Sequence, residues 1–266
     1  MSDELWQRWE TFLGKITERQ QEIFVEAEEG LREIINAYPQ DVMPLGNAIQ
    51  GLRFRIEELK TKVRDTWDKQ VSPKFDEVGG AFAEKGRDRT DDFIDELAAK
   101  WDLFAARMET EFYQNLRPLA EAGEKKVVNC GECGAPLKLP TRKDAVSQKC
   151  SACGALNQVL AETAVAIYQG VGHAMGTLEA LPLRHELERF RRSVDRWRRA
   201  NNWANEPIES MDKWLAMERA CWEKYAEVAG RALGRPPDRE LVESRVGAFV
   251  EMTLKRDQRW RKAKGL

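Results

Sequence analysis

The feature that most constrains this chain is a six-residue pattern, CxxCGA, which begins at Cys130 and again at Cys150. In each copy the glycine that follows the second cysteine suits a tight turn, here called a knuckle, because such a turn favours a positive φ that a Cβ opposes. A knuckle can point both of its thiolates at one centre, so two knuckles supply the four sulfurs of a closed tetrahedral metal site. The sixteen residues between the pairs suit a short hairpin, with residues 136–140 as its extended arm.

These residues resemble the zinc-ribbon family of small four-cysteine modules, and the resemblance covers about residues 127–160. It implies that Cys130, Cys133, Cys150 and Cys153 hold a structural Zn²⁺. It implies no particular activity, because zinc ribbons bind nucleic acid in some proteins and other proteins elsewhere. The knuckles are also similar to those of rubredoxin, which holds redox-active iron. Zinc is the better match, since the segment between the pairs is short and has no aromatic residues to shield an iron centre.

The predicted ribbon is basic, with six Lys and Arg residues against two acidic ones in residues 125–160. A metal would replace the hydrophobic core that a module of this size cannot build. Four thiolates around one divalent ion leave a negative charge, which the basic residues can offset. They could also contact phosphates, although the segment lacks aromatic residues that would stack on bases. The basic residues are Lys125, Lys126, Lys138, Arg142, Lys143 and Lys149.

Apolar residues spaced three and four apart predict long helices before the ribbon. A first helix is predicted over residues 5–38. A second, over residues 45–63, carries a heptad seam that requires a partner helix along its length. A third is predicted over residues 93–116, and Pro118 is expected to end or kink it. Residues 73–89 contain three glycines and are predicted to be a loop or a frayed helix.

The same spacing predicts further helices after the ribbon. Pro182 is expected to interrupt the first of them, and Asn205, Glu206 and Pro207 form the predicted start of a later one. The apolar stripes cover residues 164–178, 183–197, 211–228 and 241–254. The predicted fold class is therefore all-α, with long antiparallel or coiled-coil-like helices and a small zinc-ribbon β module inserted mid-chain.

The formal charge divides the chain into three parts. Residues 1–124 carry −10, residues 125–160 carry +4, and residues 161–266 carry +4. We predict an acidic helical bundle, a ribbon and a basic helical region with these boundaries. Opposite charges attract, in cis or between subunits, so the basic region is expected to pack back on the N-terminal helices.

Seven arginines make residues 184–199 the densest basic stretch. Helical spacing allows four i,i+4 ion pairs within it, at 184/188, 188/192, 191/195 and 195/199. The remaining charge could meet the acidic N-terminal helices, anionic lipid or a nucleic-acid backbone. The first is favoured because that attractive surface already exists in the chain. The basic segment 255–264 could also lie on a membrane or a phosphate backbone, although a solvated terminus is commoner.

Several classes of function lack support in the sequence. The N-terminus has neither the basic start nor the apolar run of a signal peptide, no stretch approaches a membrane span, and four of five cysteines fall in CxxC pairs. We therefore expect a cytoplasmic protein. No nucleophile–base pair, phosphate loop or HExxH motif occurs, so we expect neither an enzyme nor a small-molecule substrate. His173 and His185 lack the spacing to complete a metal set, and Cys221 is expected to be a buried small residue.

The leading hypothesis is a non-enzymatic scaffold or adaptor protein. Its helices would self-associate or hold a partner protein, and its ribbon would present a docking surface or only cap a helical hairpin. Two alternatives remain open at this point. One is a nucleic-acid-binding protein that uses the ribbon and the basic C-terminal helices. The other is a peripheral membrane-surface protein that lays a basic helical face on anionic lipid.

Overall fold

A computed structural model describes residues 2–137, 146–159, 162–254 and 258–265. It confirms the predicted fold class, since the chain is 81% helical with a small antiparallel sheet mid-chain. A π-helical segment, Trp67–Val71, joins α2 to α3. The other elements, in chain order, are α1 (Ser2–Ala37), α2 (Val42–Thr66), α3 (Ser72–Val78), α4 (Gly80–Lys125), β1 (Val146–Lys149), β2 (Leu156–Val159), α5 (Thr163–Tyr168), α6 (Val171–Ala200), α7 (Ile208–Ala232), α8 (Arg239–Leu254) and α9 (Gln258–Lys264).

Helices α1, α2 and α4 form a bundle in which the chain runs up, down and up again. Three hydrogen-bonded ion pairs join α1 to α4 at the same sequence offset of 79 residues, so these two helices are parallel. The chain reverses between α1 and α2 at the predicted break. There the Asp41 side chain accepts a hydrogen bond of 2.9 Å from the Met43 N–H and caps α2.

The heptad seam of α2 has its partners within the chain. Leu45, Ile49, Ile56 and Val63 are buried in two apolar clusters that they share with residues of α1 and α4. The largest free-energy contribution to this bundle is the burial of such side chains, which is worth about 1.5–3 kcal/mol for each large aliphatic residue. The seam therefore needs no second copy of the chain to cover it.

The prediction of a loop or frayed helix over residues 73–89 is wrong. The segment is helical except at Gly79, where a φ of 144° separates α3 from α4. Gly86 serves packing, because a Cβ at that position would lie 2.4 Å from the ring of Trp67 and 2.7 Å from that of Phe75. The aromatic rings fill the space that the glycine leaves, and this packing holds the segment in the helix.

Neither of the two internal prolines ends its helix. Pro118 lies within α4, which continues to Lys125, and Pro182 lies within α6. A proline inside a helix removes one backbone hydrogen bond and costs about 3 kcal/mol. Leu116 and Ala120, on either side of Pro118, are buried. Their packing offsets the cost and keeps the helix continuous.

The C-terminal helices have an apolar core of their own, formed by α6, α7 and α8. Leu187, Met211, Trp214 and Phe249 are among its buried residues. Helix α6 approaches α7 closely at Gly176, where a Cβ would lie 2.9 Å from a backbone oxygen. Across the described parts of the chain, no helix combines the length and apolarity needed to cross a membrane.

Helix α6 meets α4 through ion pairs, in a contact that we call the α4–α6 seam. The two helices are antiparallel, so rising residue numbers on α6 meet falling numbers on α4. The N···O distances of the pairs are between 2.6 and 2.7 Å. The pairs are Arg192–Asp95, Arg196–Asp92 and Arg199–Asp88.

Candidate metal centre

The two CxxCGA copies fold into two nearly identical knuckles. In the first, the Cys130 N–H donates to the Ala135 carbonyl at 2.8 Å and the Gly134 N–H donates to the Cys130 carbonyl at 2.9 Å. The second knuckle repeats both bonds at the same distances. Gly134 and Gly154 have φ values of 72° and 78°, a region that residues with a Cβ avoid. The glycines therefore permit each turn, as the sequence predicts.

A minimal sheet supports the knuckles. Strands β1 and β2 pair in antiparallel register, with Lys149 opposite Leu156 beside the second knuckle. An isolated bridge between Asn129 and Pro136 flanks the first knuckle in the same way. The predicted extended arm over residues 136–140 falls partly outside the described residues, as do Lys138, Arg142 and Lys143 of the predicted basic set.

The fold brings all four predicted ligands together. The sulfurs of Cys130, Cys133, Cys150 and Cys153 lie within 4.8 Å of one another, and the cysteines are free thiols. Contacts of 3.6 Å (Cys130–Cys153) and 3.7 Å (Cys133–Cys150) run between the knuckles. Sulfurs placed about 2.3 Å from a central ion at the corners of a tetrahedron are roughly 3.8 Å apart. The spacing of the sulfurs thus fits one tetrahedral metal ion.

The electrostatics of the four thiols also favour a cation. The backbone N–H of Cys133 lowers the pKa of the Cys130 thiol to about 6, and that of Cys153 lowers the pKa of Cys150. For Cys153 the Ala155 N–H acts in the same direction, but the neighbouring sulfurs outweigh it and raise the pKa to about 12. Four thiolates cannot share this volume without a positive charge, and a divalent metal supplies one.

Asn157, on β2, is a residue of the site that the sequence pattern did not reveal. Its side chain contacts the Cys130 sulfur and the backbone of both knuckles. The CxxCGA repeat ends at Ala155, and the residue that occupies the equivalent position after the first knuckle is Leu137. Because the two positions differ, comparing the two copies gives no signal that Asn157 has a role.

The segment that carries the two knuckles, for which we keep the name ribbon, joins the helical body between α4 and α5. Helix α4 ends at Lys125, and Lys126 pairs with Glu162 at 2.8 Å where the chain returns from the ribbon. Ala164, at the start of α5, is buried in the same apolar cluster as Leu116 of α4. The two ends of the ribbon are therefore close together, and the module interrupts a helical hairpin.

The other candidate ligands lie elsewhere. The Nδ1 atom of His173 is 2.9 Å from the hydroxyl of Tyr225, and His185 lies 3.7 Å from a carboxylate oxygen of Asp102. Cys221 is buried, and burial raises the pKa of its thiol to about 11. Among the described residues, the four ribbon cysteines are the group of His, Cys, Asp and Glu side chains close enough to hold a metal ion.

Comparisons of the chain with protein-family models, with curated proteins and with solved structures found no match. The function of the chain is therefore inferred from the chemistry of the four-cysteine site and from the surfaces of the fold.

Proposed function

We propose that Cys130, Cys133, Cys150 and Cys153 bind one Zn²⁺ as a structural ion. The observation that carries this proposal is the cluster of four free sulfurs at tetrahedral spacing. Four thiolates favour Zn²⁺ over the hard cations that prefer oxygen ligands. They also leave no open coordination position, which is typical of structural sites rather than catalytic ones.

Elemental analysis of the purified full-length chain tests the metal. We expect one equivalent of zinc per chain, and we expect Cys150→Ser to lose it. Cys221→Ser is the matched control, because Cys221 lies in α7 within the C-terminal core, and it should keep the zinc. Bound iron in place of zinc would support the rubredoxin-like alternative, and a chain without stoichiometric metal would overturn the proposal.

Removal of the zinc should unfold the ribbon while the helices persist. Among the described residues of the ribbon, the buried ones are Cys130, Cys150 and Val159, so the ion replaces a core. The helical clusters draw on residues outside the ribbon. After chelation we expect the amide resonances of β1 and β2 to lose dispersion, with little change in helical circular dichroism.

We further propose that the chain is a non-enzymatic scaffold or adaptor protein whose ribbon end docks a partner protein or a second copy. The support is that exposed apolar side chains occur both in the ribbon and at the α1–α2 turn. Val127 and Leu156, in the ribbon, are 68% and 69% exposed. Tyr38 and Met43, which flank the α1–α2 turn, are also exposed. A groove lined by Gln40, Lys126 and Glu162, among others, joins this turn to the base of the ribbon. A contiguous apolar surface with a polar rim is typical of an interaction site, and we propose that these residues contribute to one.

The charge on α6 favours this proposal over binding to phosphates or lipid. Arg192, Arg196 and Arg199 already have carboxylate partners on α4. An anionic ligand would have to displace those carboxylates before it could use the arginines. The ion pairs therefore reduce the positive field that a nucleic acid or an anionic membrane would meet.

A set of three baits tests the docking end. The wild-type chain, the double variant Val127→Glu/Leu156→Glu and the control Met252→Glu are compared by affinity purification and light scattering. Met252 is 74% exposed but lies on α8, away from the ribbon in the chain. We expect a partner or a second copy to bind the wild type and the control but not the double variant. Equal recovery by all three baits would overturn the proposal, and salt-sensitive binding of nucleic acid by the wild type would favour the first alternative.

A further inference from the structure

The side-chain amide of Asn157 bridges the two knuckles. Its Oδ1 accepts a hydrogen bond of 3.0 Å from the Gly131 N–H in the first knuckle. Its Nδ2 donates to the Ala155 carbonyl in the second knuckle at 3.1 Å and to the Cys130 sulfur at 3.5 Å. One short side chain thus contacts a ligand sulfur and the backbone of both turns.

These partners fix the orientation of the amide. The Gly131 N–H can only donate and the Ala155 carbonyl can only accept. The oxygen of Asn157 must therefore face Gly131, and its nitrogen must face Ala155 and the sulfur. The reverse orientation would place donor against donor and acceptor against acceptor. Because the backbone sets this choice, the N–H that points at Cys130 is a built feature of the site.

The sulfurs of Cys130 and Cys150 differ in the side-chain hydrogen bonds that they accept, although the two knuckles have the same backbone hydrogen bonds. Both sulfurs accept from backbone N–H groups of their own knuckle. Cys130 also receives the Asn157 side chain, and the corresponding position after the first knuckle holds Leu137, which has no side-chain donor. The hydrogen-bonding environment of the four-sulfur cluster is therefore asymmetric.

We propose that Asn157 is a positioning residue of the metal site, whose amide locks the two knuckles together and holds the Cys130 sulfur in its metal-binding position. This inference rests on the proposed binding of a metal by the four cysteines. Hydrogen bonds to ligand atoms orient the ligands and tune a bound metal, and their loss typically weakens metal affinity about 10- to 100-fold.

Two matched variants in β2 test the role. Asn157→Leu removes all three hydrogen bonds. Gln158→Leu is the control, because it makes the same change from amide to aliphatic group at the next residue and removes only the 2.9 Å bond to the Ser147 hydroxyl. In competition with a chelator, we expect the full-length Asn157→Leu chain to bind Zn²⁺ about 10- to 100-fold more weakly than wild type. Gln158→Leu should stay close to wild type.

Asn157→Asp separates the donor role of the amide nitrogen from the acceptor role of the amide oxygen at Gly131. An aspartate keeps an oxygen that can accept from the Gly131 N–H, but it loses the donor and places negative charge beside the Cys130 thiolate. If the side chain served only to accept from the Gly131 N–H, Asn157→Asp would bind Zn²⁺ better than Asn157→Leu. We expect it to bind at least as weakly as Asn157→Leu.

Two further readouts report on Cys130 itself. In the Co²⁺-loaded chain, the sulfur-to-metal charge-transfer bands should shift in both Asn157 variants and remain unchanged in Gln158→Leu. When Zn²⁺-loaded chains are alkylated for a limited time and mapped by mass spectrometry, Cys130 should be modified earlier in Asn157→Leu than in wild type. Neither change is expected if the role of the residue is limited to strand pairing.

The outcomes distinguish this inference from the proposed function. A wild-type chain that binds neither Zn²⁺ nor Co²⁺ would overturn both. If the wild-type chain binds Zn²⁺ and the Zn²⁺ affinities of Asn157→Leu and Asn157→Asp equal that of Gln158→Leu, the role of Asn157 alone would be overturned. The role of Asn157 would also be overturned if Asn157→Asp bound Zn²⁺ more tightly than Asn157→Leu and the charge-transfer bands of both Co²⁺-loaded variants matched those of wild type.

Discussion

Helix α4 has two flanks that are held by different forces. Towards α1 and α2 it presents Leu97, Met108 and Leu116, each with 0% of its surface exposed. Towards α6 it presents the carboxylates of the α4–α6 seam, where Asp88 and Asp95 bind arginines and all the paired side chains keep between about a quarter and a half of their surface exposed. One helix therefore serves an apolar core on one side and a polar contact on the other.

The difference shows what each kind of contact can supply. Apolar burial supplies most of the free energy of folding but has little directional preference. Partly exposed ion pairs contribute less, because the charges lose hydration and the side chains lose conformational freedom. A bidentate pair such as Arg192–Asp95, with both distances at or below 2.7 Å, instead fixes geometry. We infer that the bundle of α1, α2 and α4 provides stability, whereas the seam sets the register of α6 on α4.

The largest expected effect is on the apolar flank. Leu97→Ala should lower the free energy of unfolding by about 2–5 kcal/mol, because it opens a cavity in a fully packed cluster. Urea denaturation measures this loss. Leu103→Ala is the matched control on the same helix, where the leucine is 50% exposed, and it should change stability by less than about 0.5 kcal/mol. Equal losses for the two variants would contradict the assignment of stability to this flank.

A smaller effect is expected at the seam. Asp95→Ala leaves the Arg192 guanidinium without its bidentate partner, with Asp91 at 4.0 Å as its remaining acidic neighbour in the seam. Breaking a charged hydrogen-bonded pair in this way should cost about 1–3 kcal/mol. The control is Glu4→Ala, which breaks the exposed Arg8–Glu4 pair and should cost less than about 1 kcal/mol.

Salt separates the two flanks in the same experiment. The Debye length falls from about 10 Å at 0.1 M salt to about 3 Å at 1 M. The stability difference between wild type and Asp95→Ala should therefore shrink as NaCl is added, while the difference between wild type and Leu97→Ala should not. If the stability lost in Asp95→Ala did not change with the salt concentration, packing rather than charge would hold the seam.

The seam also shows where sequence-based prediction stops. The spacing of residues 184–199 predicts four i,i+4 ion pairs within one helix, but the ion pairs that form inside this described segment are at i,i+3, Arg191–Glu188 and Arg198–Asp195. Arg192 and Arg199 instead bind carboxylates 97 and 111 residues earlier in the chain. Helical periodicity identifies which residues share a face, but it does not identify which distant face they will meet. That choice depends on the packing of the whole molecule.

The two metal knuckles and the long helices could be predicted because their signals are local. CxxCGA fixes a turn within six residues, and apolar steps of three and four fix a helical stripe. The prediction failed over residues 73–89, where glycine is ambiguous. Gly79 does break a helix, whereas Gly86 makes room for the Trp67 ring. In the sequence Gly79 stands beside Gly80 and Gly86 stands alone, and this difference does not say which of them breaks the helix; the tertiary contacts do. Asn157 escaped prediction for the same reason.

The smallest expected effect is at Glu109, which lies further along the same heptad positions of α4 as Asp88, Asp95 and Asp102. Burial raises the pKa of Glu109, and the nearby His173 of α6 lowers it only in part. Unlike Asp95, this carboxyl is desolvated beside a histidine rather than beside an arginine. Its charge should therefore oppose folding.

The sign of the pH dependence is set by that raised pKa. The folded chain holds the Glu109 proton to a higher pH than the unfolded chain, in which the pKa of this carboxyl is near 4.5. The free energy of unfolding should therefore fall as the pH rises through the window between the unfolded pKa and the higher folded pKa of Glu109. Glu109→Gln carries no charge, so it should match wild type below the window and exceed it in stability above it. Urea denaturation of both chains from pH 4 to pH 8 measures the difference, and a difference that does not change with pH would show that the charge of Glu109 does not oppose folding.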